Sequence, residues 1–304
     1  METHKSRVSI GMPVYNGEKF ISVSIDSILT QSFDNFELII SDNASTDRTE
    51  EICRTYLNRD KRIRYIRNDT NIGVNRNFNR VFALCTGEYF KWASADDVCG
   101  QDLLARCLEV LESNPGVVLA YPKTTFIDAT GKALNWHDPG WDLRSDDALE
   151  RMRYVIASGH WVNAFYGLIQ VQSLAHTRLL PSYHSGDYRL LGELSLCGKF
   201  FEVPEHLFFR RIHTEASSQN TGAKWQAEFF RGGHRYTDLP LWHLYGDHAV
   251  TIYRSQLRLP QKLALLMAVL NRMRLAKRQL CTELHAALQH GLRERPLLKT
   301  NLWS

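Results

Sequence analysis

Residues 88–97 have the sequence Glu-Tyr-Phe-Lys-Trp-Ala-Ser-Ala-Asp-Asp, in which an apolar, strand-like segment leads into the adjacent carboxylates Asp96 and Asp97. No Lys or Arg lies between Trp92 and this pair. Because neighbouring carboxylates repel each other, such a pair at a strand end favours a divalent cation, a pair of bound hydroxyls or open water as its partner. Taken alone, the pair is also typical of a solvated turn or a helix cap, so its meaning depends on the segments upstream.

The first 122 residues alternate strand-like and helix-like segments. Buried strands are predicted at residues 8–14, 36–40, 63–66, 89–92 and 117–121, and helices between them at residues 17–31, 47–57, 75–84 and 101–112. This alternation predicts an α/β fold with a mostly parallel, Rossmann-like sheet and right-handed crossovers. In such sheets ligands bind at the carboxyl ends of the strands, where Asp42 and the Asp96-Asp97 pair both fall.

The second half of the chain gives weaker patterns. Helices are predicted at residues 146–157 and 188–196, and a pair of strands around residues 200–211. Residues 216–250 give no prediction. Residues 259–289 have the pattern of one long basic amphipathic helix, or of two that break near Leu275.

Composition excludes several classes of protein. The chain has 304 residues, of which 44% are hydrophobic and 23% charged, as expected for one main globular domain with an appendage. Its six cysteines form no Cys-x-x-Cys pair, which argues against a zinc site or a disulfide framework. No segment resembles a signal peptide, and the longest apolar run, residues 263–270, is too short to span a bilayer. We therefore expect a cytoplasmic protein.

Positive charge is concentrated at the C-terminal end. From residue 251 onward ten Lys or Arg are opposed by Glu283 and Glu294 alone, so this segment carries +8 within a chain of net charge +4. A basic tail on a mildly acidic body indicates an anionic neighbour, such as the inner surface of a membrane. The alternative is a helix that packs on the main domain and leaves a solvated basic face.

Known phosphate-binding loops are missing, and other motifs take their place. The first strand is followed by neither a Gly-x-x-x-x-Gly-Lys-Ser/Thr nor a Gly-x-Gly-x-x-Gly sequence. It ends in Pro13-Val-Tyr-Asn-Gly-Glu18, and the second strand ends in Asp42-Asn-Ala-Ser-Thr-Asp47. Together with Gly87-Glu-Tyr and Asp96-Asp97, in this order, these motifs resemble the family 2 glycosyltransferases over roughly residues 6–218.

This resemblance implies the GT-A fold, an α/β sheet that binds a nucleotide sugar with an acceptor half built around it. Residues 1–218 would form this domain, with residues 1–122 as the nucleotide-sugar-binding half and residues 123–218 as the acceptor half. Residues 219–304 would form a basic, mostly helical C-terminal extension.

The resemblance also implies roles for single residues around the donor. The residues that would border the donor nucleotide and its phosphates are Pro13, Tyr15, Glu18, Asp42, Asn43, Arg76 and Asp96. Within this set Asp42 would accept a hydrogen bond from the imide N–H of uracil or thymine, and Asp96 would bind the ribose hydroxyls. As alternatives, Asp42 caps a turn before the next helix and Arg76 is an ordinary surface side chain.

A divalent cation, Mg²⁺ or Mn²⁺, is implied by the same resemblance, with Asp97 and His213 as its ligands. A hard cation stabilises the negative charge that develops on a nucleoside diphosphate as it leaves. Ser94 stands where many relatives have the first Asp of an Asp-x-Asp motif. Asp97 would therefore be the one carboxylate of this motif expected to bind the metal. Arg210 or Arg211 would pair with phosphate, whereas contact with the diphosphate or a structural role are the alternatives for His213.

The resemblance places the catalytic base at Asp187, which would deprotonate the acceptor hydroxyl as it attacks the anomeric carbon. Gly186 replaces the Glu that relatives carry beside this Asp. The alternative is that Asp187 caps the helix that follows, in which case Glu193 is the second candidate for the base.

The combined prediction is a metal-dependent, inverting glycosyltransferase that moves a sugar from a UDP- or dTDP-sugar to a carbohydrate or lipid-linked saccharide, with no nucleic acid as partner. Two other functions remain open. A sugar-phosphate nucleotidyltransferase would need a Gly-rich, basic loop after the first strand, which residues 15–18 do not provide. A non-catalytic nucleotide-sugar-binding protein would need the donor site but not Asp187.

Overall fold

The computed structural model describes residues 6–141, 143–158, 162–183, 185–216, 229 and 239–293. The strands in these residues are β1 (Val8–Val14), β2 (Phe36–Asp42), β3 (Ile63–Arg67), β4 (Tyr89–Trp92), β5 (Val98–Cys99), β6 (Val117–Ile127), β7 (Leu168–Gln170) and β8 (Lys199–Arg211). The helices are α1 (Ile21–Leu29), α2 (Thr49–Arg59), α3 (Val74–Ala83), α4 (Leu103–Ser113), α5 (Ala148–Ala157), α6 (Val171–Ala175), α7 (Gly186–Cys197), α8 (Pro240–Arg254), α9 (Leu259–Leu275) and α10 (Lys277–Arg293). The strands form one sheet in the order β3-β2-β1-β4-β7-β6-β8-β5.

The first half of the sheet has the predicted parallel pairing. β1 pairs in parallel with β2 and β4, and β2 pairs in parallel with β3. All residues of β1 and β2 are buried, because helices cover both faces of this part of the sheet. Gly11 permits the close approach of α3, since a Cβ at this position would lie 2.6 Å from Cγ2 of Val81. Because β1, β2 and β4 are parallel, their carboxyl ends meet at one edge of the sheet.

The second half of the sheet differs from the prediction. The three-residue β7 lies between β4 and β6 and pairs antiparallel with both, so the fifth predicted strand does not extend the parallel half directly. The expected pair of strands around residues 200–211 is a single strand, β8, which runs parallel to β6 as far as Arg211. The register between β6 and β8 shifts next to Pro122, whose nitrogen has no hydrogen to donate.

The C-terminal helices pack onto α5. A cluster of buried apolar residues joins α5 to α8, α9 and α10: Met152, Ile156, Tyr245, Ile252, Leu265, Val269 and Leu280. Of the two alternatives for the basic segment, the structure has two helices, since α9 ends at Leu275 and α10 begins at Lys277. Of the predicted extension, residues 219–228, 230–238 and 294–304 lie outside the described residues. Within the part of the chain that the structure describes, no helix combines the length and the apolar character needed to cross a bilayer.

Candidate active site

A cleft of about 620 Å³ opens at the edge where β1, β2 and β4 end. This volume is in the range typical of small-molecule and cofactor sites. Six of the predicted site residues line it, and they are Pro13, Tyr15, Asn43, Asp96, Asp187 and His213. Glu18, Asp42, Arg76 and Asp97 are not among its lining residues. The structure thus brings together residues of both predicted halves and separates four others from the cleft.

The loops that follow β1 and β2 hold each other in place. The amide of Asn16 donates to Ser45 Oγ at 2.9 Å, and its side-chain Oδ1 accepts from the amide of Thr46 at 2.8 Å. Glu18 Oε2 accepts from the amide of Arg48 at 2.9 Å, at the start of α2. Asn16 has a left-handed φ of 53°, a conformation that Asn tolerates well. Glu18 therefore caps a helix in this structure, whereas the sequence predicted a contact with the nucleotide.

Asp42 is fully buried behind the cleft wall. Its Oδ1 accepts from the amide of Ser45 at 2.8 Å and its Oδ2 from the hydroxyl of Tyr65 at 2.7 Å. The alternative reading of Asp42 as the cap of a turn thus describes the contacts that it makes. A carboxylate oxygen has two lone pairs, so each oxygen retains capacity for one further donor.

A network of asparagines forms the floor behind Asn43. Asn43 Nδ2 donates to Asn71 Oδ1 at 2.7 Å, and Asn43 Oδ1 accepts from Asn68 Nδ2 at 2.9 Å. Asn77 lies next in this network, accepting from Ser41 Oγ at 2.7 Å. Asn43, Asn71 and Asn77 also line the cleft. Of these asparagines only Asn43 was predicted from the sequence as a site residue. The frequent Asn between residues 68 and 79 could have indicated a polar pocket wall.

Asp96 and His213 form a pair in the cleft. His213 Nε2 lies 3.0 Å from Asp96 Oδ2, and Ser94 Oγ donates to Asp96 Oδ1. Although burial alone would raise the pKa of Asp96, the hydrogen bonds from His213 and Ser94 lower it, so the carboxylate stays ionised. The ring of Phe20 packs against His213 with centroids 4.8 Å apart and limits its orientation.

Asp97 has a different environment from its neighbour. It is buried, and its Oδ1 accepts a hydrogen bond of 2.8 Å from the amide of Arg211 in β8. Burial and the adjacent Asp96 carboxylate raise the pKa of Asp97 to about 7. The guanidinium of Arg211 donates to the carbonyl of Asp96 at 2.8 Å and stacks over Phe20. Asp97 and Arg211 thus join β8 to the end of β4, and the sequence had instead predicted Asp97 as a metal ligand.

The Asp96 and His213 pair has the geometry of two ligands of one hard cation. Two neighbouring ligands of an octahedral ion with bonds of about 2.1 Å lie about 3.0 Å apart. The other ring nitrogen, Nδ1 of His213, which such a cation would not contact, is buried and has no hydrogen-bond partner among the described residues. The described residues contain no group of three or more His, Cys, Asp or Glu side chains that would hold a metal alone. The pair therefore fits Mg²⁺ or Mn²⁺ only if other oxygen ligands complete the shell.

Asp187 lies in the first turn of α7 and lines the cleft. The N-cap position of this helix is Ser185, which has a left-handed φ of 66°, so Asp187 does not cap the helix as the alternative proposed. Its Oδ1 accepts from the amide of Tyr188 at 2.9 Å. The side chain is half-buried, a position in which a carboxylate can meet an incoming hydroxyl.

Two asparagines of α3 hold the segment that leads to Asp187. Asn75 Nδ2 donates to the carbonyls of Pro181 and Tyr183, and Asn79 both donates to and accepts from the backbone of Leu180. These bonds tie α3 to residues 180–183, which precede α7. Neither residue could be predicted from the sequence, because their partners lie about a hundred positions away in the chain.

The remaining charged candidates lie in three different places: in the cleft, on the exposed surface and in the protein interior. Arg210 lines the cleft and donates to Asn163 Oδ1, whereas Arg76 is exposed on α3. Glu193 is buried, and it accepts from the amide and the guanidinium of Arg178. Arg210 is therefore better placed than Arg76 to meet a phosphate.

Comparison with known sequences gives one family. The sequence model of the family described as Glycosyl transferase family 2 matches residues 9–167. An uncharacterized glycosyltransferase of Methanocaldococcus jannaschii is 33% identical over 140 residues, a match that covers 45% of this chain and 48% of that relative. The chain thus spans about half the length of this curated relative.

Comparison with solved structures gives the fold. S. aureus TarS, solved in complex with UDP-GlcNAc, has a TM-score of 0.67 at 18% identity, covering 88% of this chain and 72% of the TarS chain. The mannosyltransferase PcManGT of Pyrobaculum calidifontis, solved with GDP-Man and Mn²⁺, has a TM-score of 0.58 at 17% identity, covering 97% of this chain and 77% of that one. At these identities the likeness shows the fold alone, and it confirms the predicted fold class.

Proposed function

The chain belongs to glycosyl transferase family 2, and from this premise we propose that it transfers a sugar from a UDP- or dTDP-sugar to a hydroxyl of a carbohydrate or lipid-linked saccharide. The transfer inverts the anomeric carbon. The machinery lies in residues 1–218, and residues 219–304 are an extension of it. We place the enzyme in the cytoplasm and its acceptor in surface polysaccharide or glycolipid synthesis.

The observation that carries the proposal is the shared cleft of Asp96, His213 and Asp187. A cation held by the pair would stabilise the leaving diphosphate, and a carboxylate base would activate the acceptor hydroxyl, so the cleft could supply both contributions to a single displacement on a nucleotide sugar. A non-catalytic binder would have no use for Asp187 at this position.

The donor would occupy the cleft with its base near Tyr15 and Asn43 and its diphosphate near Arg210. We assign the cation to Asp96 and His213 in place of Asp97, because the Asp97 carboxylate is buried and bonded to Arg211. When bound by Asp96 and His213, Mg²⁺ or Mn²⁺ would supply positive charge that stabilises the leaving diphosphate.

Asp187 would take the proton of the acceptor hydroxyl as that oxygen attacks the anomeric carbon. The new sugar–oxygen bond forms on the face opposite the diphosphate, so one displacement inverts the configuration. Asn75 and Asn79 would fix the position of Asp187 through the segment that they hold.

The test is release of the nucleoside diphosphate from a panel of UDP-, dTDP- and GDP-sugars, with Mn²⁺, with Mg²⁺ and with EDTA. We expect slow, metal-dependent hydrolysis of one donor even without its acceptor. Asp96→Asn should shift the metal dependence to higher metal concentrations, and Asp187→Asn should lose transfer while it retains donor binding in calorimetry. Binding without turnover over a broad acceptor panel would instead indicate a non-catalytic binder, and absence of binding to every donor would refute the proposal.

A further inference from the structure

Helix α9 is apolar on two opposite faces. Leu265 and Val269 are buried in the cluster that joins it to α5. On the outer side, Leu259, Leu263, Met267 and Leu270 are 68%, 54%, 65% and 58% exposed. Their spacing of four, four and three residues places them in one stripe along the helix. The outward face of a surface helix normally carries polar residues. An exposed apolar stripe of this kind therefore indicates a binding partner.

The stripe lies among cations. Arg254 and Arg258 precede it, Arg274 follows its last residue, and Lys277 and Arg278 begin α10, all of them exposed. Lys262 lies between the first two residues of the stripe, Leu259 and Leu263, and its Nζ donates to the carbonyl of Tyr253 at 2.7 Å.

The three C-terminal helices contain few acidic side chains, and each of these is already bound to another group of the protein. Within α8, α9 and α10 they are Asp247, which is paired with Arg178, and Glu283, whose carboxylate accepts from the amide of Leu241. No acidic residue in the described part of α9 therefore offsets the cations around the stripe.

We propose that the outer face of α9 docks on an anionic lipid surface. The apolar side chains enter the boundary between headgroups and acyl chains, and the flanking Lys and Arg contact lipid phosphates, as in interfacial helices. Charge favours this occupant over a second copy of the chain, because a second copy would bring an equally cationic face. The inference is independent of the donor chemistry proposed above, although it would hold the enzyme near a lipid-linked acceptor.

The test uses the full chain and vesicles of phosphatidylcholine with or without about a third of phosphatidylglycerol. We expect sedimentation with the anionic vesicles only, weakened by added salt. Leu263→Gln with Met267→Gln should reduce the affinity roughly tenfold or more, since two apolar side chains no longer enter the lipid. Arg274→Gln with Lys277→Gln and Arg278→Gln should reduce it as well. Val23→Gln is the matched control, because Val23 is 48% exposed on α1, and this variant should bind as the wild type does.

Thermal unfolding and light scattering distinguish the other possible occupants. Because the stripe is exposed, the Leu263→Gln and Met267→Gln variant should keep the wild-type melting temperature. A marked decrease would show that another segment of this chain covers the stripe and would overturn the proposal. A wild-type dimer that this variant converts to a monomer would assign the face to a second copy. Equal vesicle binding by the wild type and the variant would also refute lipid docking.

Discussion

Nε2 of His213 lies 3.0 Å from Oδ2 of Asp96, although 117 positions separate the two residues in the chain. Asp96 follows β4, and His213 follows the end of β8, the strand whose last residue anchors Asp97. The parallel half of the sheet thus provides one side of the candidate metal site, and the long β6–β8 pair provides the other.

The first prediction concerns these two side chains. Asp96→Asn and His213→Gln should each increase the Mn²⁺ concentration for half-maximal activity by about 10- to 100-fold or more, because each removes one of the two protein ligands proposed above. The measurement is nucleoside diphosphate release over a Mn²⁺ titration.

His206→Gln serves as the control for this titration, since His206 is an exposed residue of β8 whose Nδ1 lies 3.1 Å from Thr125 Oγ1. Its Mn²⁺ dependence should match that of the wild type. If Asp97→Asn shifted the Mn²⁺ dependence while Asp96→Asn did not, the assignment of the ligand to Asp96 would be wrong.

The sequence could place the carboxylates at the sheet edge, but it could not tell which of Asp96 and Asp97 faces the cleft. The alternation of strands and helices determines which strand ends meet, and this part of the prediction is confirmed. Asp96 lies in a bend between β4 and β5, so no regular alternation determines which way the two adjacent carboxylates turn. Their directions follow from the contacts that each makes, which for Asp96 are those with His213 and Ser94. Here the deciding contact is the amide of Arg211, which is 114 positions from Asp97.

Two elements escaped prediction for a related reason. β7 has three residues, too few for a periodic pattern, and it is defined by its pairing with β4 and β6. α8 contains Gly246 and several aromatic and His residues, which give a weak helical signal. Its stability comes from packing on α7 and α9, which no local pattern reveals.

A second prediction tests Asn75 as a positioning residue. Asn75→Ala removes the donor that holds the carbonyls of Pro181 and Tyr183, so Asp187 should lose its fixed position. We expect kcat to fall about 10- to 100-fold while the dissociation constant of the donor nucleotide stays close to the wild-type value. Steady-state kinetics and calorimetry together measure this split.

Asn114→Ala is the control for Asn75, because Asn114 Nδ2 donates only within its own helix end, to the carbonyl of Val110 at 2.9 Å. It should leave kcat unchanged. Equal losses of donor affinity and kcat in Asn75→Ala would show that Asn75 acts by contact with the donor and not by positioning.

A third prediction separates the two candidate bases. Glu193 is buried and paired with Arg178, which also binds Asp247 on α8. Glu193→Gln should lower the free energy of unfolding by about 3 kcal/mol, because it leaves part of a buried charge network uncompensated. Asp187→Asn should reduce kcat by about 10²- to 10⁴-fold and leave the unfolding free energy nearly unchanged. Urea unfolding and transfer assays on both variants give the comparison, and the reverse pattern would identify Glu193 as the base.

The last prediction concerns stability in acid. His248 in α8 is 2% exposed, and its burial lowers its pKa to about 4, well below the ordinary value of 6.5. As the pH falls below about 6.5, the unfolded chain protonates this imidazole while the folded chain does not, so stability is lost down to about pH 4. The expected loss from this group is about 3 kcal/mol over that window.

His248→Gln removes the titrating group, so its unfolding free energy, measured in urea at pH 7.5 and pH 4.5, should fall by less than that of the wild type. His206→Gln, which changes an exposed histidine, should keep the wild-type pH dependence; if both variants behaved alike, the buried imidazole would not be the source of the acid sensitivity.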